Sequence, residues 1–147
     1  MIKFSFKNKE EKDSQVSLQH RKHTNRNRML KTSRKYNSME RNEELESIKA
    51  CFPDSKSVLC VGARHEDEVR SMSKIGLNGI GIDVVDHIFK TDLIKKVDAH
   101  KIGETFSENQ FDIGYASHSL EHMHSPEIVL ESLRNVCKDG LVIVLPG

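Results

Sequence analysis

Residues 57–86 read SVLCVGARHEDEVRSMSKIGLNGIGIDVVD, and the parsing of this stretch decides the fold. The apolar run Val58-Leu59-Cys60-Val61 stops at Gly62, and in the acid-rich segment after it Val69, Met72 and Ile75 recur on one helical face. A second short apolar run ends in Asp83. Buried parallel strands read as continuous hydrophobic runs, whereas a covering helix shows apolar residues every three to four positions. The stretch therefore predicts strand, turn, helix and strand, within the about 30 residues that such a crossover unit needs. Gly62 stands at the carboxyl end of the first strand, where the lack of a side chain lets the backbone turn sharply and approach a ligand. Asp83 follows 21 residues later at the end of the second strand. Nucleotide-binding units of this kind carry at that spacing an acid that accepts from ribose hydroxyls. The glycine pattern is sparse: Gly62-Ala63-Arg64-His65-Glu66 holds one glycine where a dinucleotide fingerprint has three.

Working outward, 147 residues allow one domain. With 36% hydrophobic and 31% charged residues and no Trp, the chain suits a small soluble core. The formal charge of +1 conceals an asymmetry: residues 1–35 hold eleven Lys or Arg against three acids, and residues 36–147 hold twelve against nineteen. The first segment is therefore expected to be a basic, flexible leader, too poor in apolar groups to bury, and a candidate contact for nucleic acid through phosphate neutralisation. Residues 36–147 are expected to form the folded domain. There is no apolar run of about 18 residues and no signal-peptide core, so no membrane span is expected. Cys51, Cys60 and Cys137 are odd in number and widely spaced. Cys60 and Cys137 read as small buried hydrophobes of a reducing, cytoplasmic compartment.

Ahead of the first strand, residues 36–52 predict a helix capped by Ser38, with Leu45, Ile48 and Phe52 on its apolar edge and Pro53 stopping it. Beyond Asp83, Val97-Asp98-Ala99 suggests a third strand or its end, and residues 110–116 a fourth, buried strand. Ser125-Pro126 then opens a helix bearing Ile128, Val129, Leu130, Leu133 and Val136, with Asp139-Gly140 as its stop and residues 141–145 as a fifth strand. Strands that alternate with helices in this way predict an α/β fold, a parallel sheet covered on both faces.

Taken together, VLCVGARHEDEV, GIGIDVVD, VDAHKI and the run from residue 111 to residue 147 resemble, in order and spacing, the class I S-adenosylmethionine-dependent methyltransferases, in particular their small type 11 domains. The resemblance implies a Rossmann-like sheet of strand order 3-2-1-4-5, S-adenosylmethionine as cofactor, and methyl transfer to an unidentified acceptor. It also implies roles. Gly62 and the backbone of Ala63 and Arg64 would lie against the amino-acid part of the cofactor, and Asp83 would bind both ribose hydroxyls. Asp98 with the backbone of Ala99 would receive the adenine amino group. Ser117 and His118 would line the floor beside the sulfonium. Where a base is needed, His118 or His122 is the candidate, because an ordinary imidazole titrates near neutral pH. The four places assigned to the cofactor, at Gly62, Asp83, Asp98 and Ser117 with His118, are expected at carboxyl ends of strands, where open α/β sheets bind ligands.

The departures shape two further expectations. The family's sheet continues into antiparallel sixth and seventh strands that are missing here, so the fifth strand is expected to present an open edge, closed by a homodimer, a partner subunit or the leader folding over it. A non-catalytic methyltransferase-like module that works with a partner is the alternative function. His118-x-x-Glu121-His122 also has the form of an inverted zinc-protease motif, but no third ligand follows. A related Glu-x-x-Glu-His pattern binds metal in small-RNA 3′-end 2′-O-methyltransferases, with His118 here replacing the first Glu. The preferred expectation is that no metal binds.

Overall fold

The structure, a computed structural model, describes residues 1–6, 38–63, 66–84 and 92–145. Its strands are β1 (Ile2–Ser5), β2 (Ser57–Val61), β3 (Asn78–Asp83), β4 (Ile94–Lys96), β5 (Phe111–Ser117) and β6 (Cys137–Val144). Its α-helices are α1 (Ser38–Cys51), α2 (Glu66–Lys74), the single turn α3 (Ile102–Thr105) and α4 (Pro126–Val136), with 3-10 turns at Ala99–Lys101 and Leu120–His122. One sheet runs in the order β1-β6-β5-β2-β3-β4. The five strands from β2 to β6 are mutually parallel, in the expected 3-2-1-4-5 arrangement.

Alternation along β2 builds the two layers. Val58 and Cys60 point to one face, where they meet Leu45, Ile48 and Phe52 of α1 and its carboxyl end and Val69 and Met72 of α2. Leu59 and Val61 point to the other, against Ile102 and the Val129, Leu130, Leu133 and Val136 stripe of α4. Successive side chains of a strand face opposite sides, so a strand covered twice must be apolar at every position. Each fully buried aliphatic side chain contributes about 1.5–3 kcal/mol. Cys60 and Cys137 are buried, while Cys51 is exposed.

Two expectations are corrected. The third parallel strand is Ile94–Lys96, so Val97-Asp98-Ala99 forms the turn after it; Asp98 caps that turn by accepting from the His100 backbone N–H. Asp139-Gly140 does not end α4, because β6 begins directly at Cys137. Gly140 serves close packing instead: a Cβ there would stand 1.9 Å from the Phe4 carbonyl oxygen and 2.6 Å from the Phe52 ring.

Of the three closures expected for the edge of the fifth parallel strand, the structure shows the leader folding over it. The fifth parallel strand is not open, because β1 pairs with it antiparallel, with Ile2 opposite Ile143 and Ser5 opposite Gly140. The Phe6 N–H extends the ladder to the Asp139 carbonyl at 2.7 Å. Phe4, 1% exposed, plugs the α4-side core, and the Lys3 ammonium donates to the Ser47 hydroxyl. A row of unpaired backbone groups beside the apolar 141–144 run of β6 needs a partner, and the chain's own first residues supply it, so pairing with a second copy is not required there. Of the expected leader, residues 7–35 lie outside the described residues, and so does its proposed nucleic-acid contact. Among the described residues no helix is long and apolar enough to cross a membrane.

Candidate functional site

The carboxyl ends of β4, β3, β2 and β5 lie side by side in the sheet. They carry Asp98, Asp83, Gly62 with Ala63, and Ser117 with His118, which the sequence assigned to one site. Arg64 lies outside the described residues.

The turn after β2 is held rigidly. Gly62 and Ala63 both donate their backbone N–H to the Ile82 carbonyl, at 2.9 and 3.1 Å, so the turn is stapled to β3 immediately before Asp83. Gly62 takes φ +71°, a left-handed conformation that a side chain disfavours. Ala63 is buried, and a Cβ on Gly81 beneath it would approach its methyl to 2.5 Å. Gly81 thus seats the turn on β3.

Across from Gly62 stands Ser119, which sequence reasoning missed. A Cβ on Gly62 would come within 2.6 Å of the Ser119 Cβ. The Ser119 hydroxyl donates to the Val61 carbonyl at 3.2 Å, which ties the segment after β5 to the last residue of β2. A small polar residue after the strand was the only signal for it. His118, between them in sequence, is exposed and takes φ +51°, a region that non-glycine residues enter at a cost. Its N–H donates to the Val144 carbonyl at 2.7 Å, so the end of β6 holds it there. His122 lies in the Leu120–His122 turn with its side chain 68% exposed and 3.6 Å from Glu121. His118 and His122 therefore do not share a regular helical face, and no group of three metal-ligating residues gathers among the described residues.

Beyond β4, the Val97 N–H donates to the Asp83 carbonyl at 3.0 Å, which brings the Asp98 turn beside the end of β3. Asp98 Oδ1 accepts from the His100 N–H at 2.9 Å and faces His100 Nδ1 at 2.7 Å. The backbone bond first, and then the imidazole, lower the Asp98 carboxyl below its usual range. Its side chain is 47% exposed, so solvent screens this interaction. Oδ2 has no hydrogen-bond partner among the described residues. The residues present fit S-adenosylmethionine on these observations: a turn that leaves no room for a Cβ, a carboxylate at the end of β3, and a second carboxylate with one oxygen left to accept.

Solved structures of similar fold include proteins assigned as methyltransferases. A protein assigned as a methyltransferase of an antibiotic-biosynthesis pathway in Anabaena variabilis superposes with TM-score 0.58 at 11% identity, over 69% of this chain and 44% of that one. A SAM-dependent methyltransferase from Archaeoglobus fulgidus gives 0.52 at 19% identity, over 65% and 46%. A Haloferax volcanii protein assigned as a methyltransferase, solved in complex with a methyltransferase activator, gives 0.50 at 15% identity, over 67% and 51%. The chain spans about half the length of these neighbours, and at such identities they show the fold. No curated protein matches it by sequence. The methyltransferase-domain family matches residues 19–145, from within the basic segment through β6, and the chain belongs to that family.

Proposed function

We propose that this chain binds S-adenosylmethionine, the cofactor its family and the archaeal neighbour imply, across the carboxyl ends of β2, β3, β4 and β5 for methyl transfer to an acceptor. The observation that carries the reading is the convergence of Gly62, Asp83, Asp98 and His118 on adjacent strand ends. When bound, the cofactor supplies a sulfonium methyl whose carbon–sulfur bond breaks, with its electron pair passing to sulfur, as the acceptor's lone pair forms the new bond. The protein's contribution is placement. The Gly62 turn lets the backbone approach the amino-acid part. Asp83 accepts from the ribose diol, and Asp98 accepts from the adenine amino group. His118, or His122 on the exposed turn beyond it, takes the proton that an acceptor hydroxyl or amine releases. The buried side chains of Cys60 and Cys137 fit a reducing cytoplasm. A partner subunit is supported by the halophilic neighbour, which was solved with its activator.

Titration calorimetry with S-adenosylhomocysteine, the demethylated product, tests this. Wild type is expected to bind, and Asp83→Ala to lose roughly 30- to 150-fold in affinity, the equivalent of about 2–3 kcal/mol for charge-assisted bonds to a diol. No heat at millimolar ligand would leave the alternative, a non-catalytic module of the same fold.

A further inference from the structure

We propose that His100 is a positioning residue of this site, one that presents Asp98 to the adenine amino group and couples it to the segment carrying His118 and His122. The inference rests on the cofactor reading above. His100 stands in the turn after β4 with both ring nitrogens engaged: Nδ1 lies 2.7 Å from Asp98 Oδ1, and Nε2 lies 3.1 Å from the Ser125 backbone nitrogen. A backbone N–H can only donate, so Nε2 must offer its lone pair and the ring proton must sit on Nδ1, directed at the carboxylate. Asp98 Oδ1 thus receives two bonds from one residue, the backbone N–H at 2.9 Å being the other. The carboxylate is thereby held in one orientation, with Oδ2 left to accept from an exocyclic amine.

The far end of the imidazole matters as much. Ser125 is the residue before α4 and closes the segment that begins at His118. Ser119, in that segment, is pinned to Val61. One side chain therefore bridges the end of the sheet assigned to adenine and the segment assigned to methyl transfer, residues 25 apart in sequence. A base without an amino donor would leave Asp98 Oδ2 unsatisfied, so the bridge also makes His100 a determinant of selectivity for adenine over a deaminated base.

The test measures the affinities of S-adenosylhomocysteine and of its inosine counterpart for wild type, His100→Ala and His100→Asn. Asparagine places an amide near the Nδ1 position but cannot reach Ser125. Wild type is expected to prefer the adenine ligand by on the order of tenfold, the scale of one charge-assisted hydrogen bond. His100→Ala should reduce that preference to within about threefold, while His100→Asn keeps it and shifts the Ser125 amide resonance. Nitrogen-15 spectra of wild-type His100 should show the proton on Nδ1. Equal weakening of both ligands in His100→Ala, or a proton on Nε2, would overturn the positioning role alone. Failure of wild type to bind either ligand would overturn the cofactor reading and this inference together.

Discussion

Replacing Gly62 by Ala tests the centre of the proposed site with the least chemistry added. Two costs combine. The backbone at φ +71° is left-handed, which costs an alanine about 1–2 kcal/mol. The new methyl would also stand 2.6 Å from the Ser119 Cβ and 3.3 Å from its hydroxyl, and overpacking of that kind costs about 1–3 kcal/mol. Ser119 has little room to retreat, being 9% exposed and bonded to the Val61 carbonyl. The sum is about 2–5 kcal/mol, a large share of the about 5–15 kcal/mol that keeps a domain folded. Urea unfolding followed by circular dichroism reads it directly as a lower midpoint at unchanged slope. Gly62→Ala combined with Ser119→Gly removes the clash but not the backbone strain, so the double variant should be more stable than the sum of the singles by about 1–3 kcal/mol. A Gly62→Ala stability within about 0.5 kcal/mol of wild type, or strict additivity in the double variant, would refute the geometry described.

Four further outcomes are expected. Phe4→Ala should cost about 3–5 kcal/mol, since Phe4 is fully buried. Deleting residues 1–6 should raise the mass seen by light scattering as β6 becomes an open apolar edge; an unchanged mass would show that β1 is not what protects it. His118→Gly should gain about 1 kcal/mol in thermal or urea unfolding by relieving φ +51°, and a loss of stability would mean that the ring carries weight the geometry does not reveal. The Asp98 carboxyl is lower in the folded chain than its ordinary 3.8, so between the two values the unfolded chain holds more protons. The stability it contributes is complete above about pH 4 and is lost as pH falls through the folded value. Asp98→Asn should therefore flatten the acid limb of a stability–pH curve, and an unaltered limb would deny the His100 contacts any effect on the fold.

What the sequence determined by itself is the central α/β order. The β2-α2-β3 unit and the β5-α4-β6 unit were legible, because burial on one face or two imprints a period on the local run of side chains; Asp83 was marked by its spacing from Gly62, and the strand arrangement followed from the family resemblance. The helix face Leu45, Ile48 and Phe52 was legible for the same reason. Even β1 carries the strand alternation of Ile2, Phe4 and Phe6 against Lys3 and Ser5, but the basic composition of the residues after it masked so short a pattern. Only the tertiary structure decided that β1 closes the β6 edge, that Gly140 admits Phe4 and Phe52, and that His118 is bent out of any helix by the end of β6. It alone also joined Ser119 to Val61 across 58 residues and His100 to Ser125 across 25. Contacts of that kind join single polar groups whose partners lie far along the chain, so they leave no period in the sequence and exist only once the strand ends have been brought side by side.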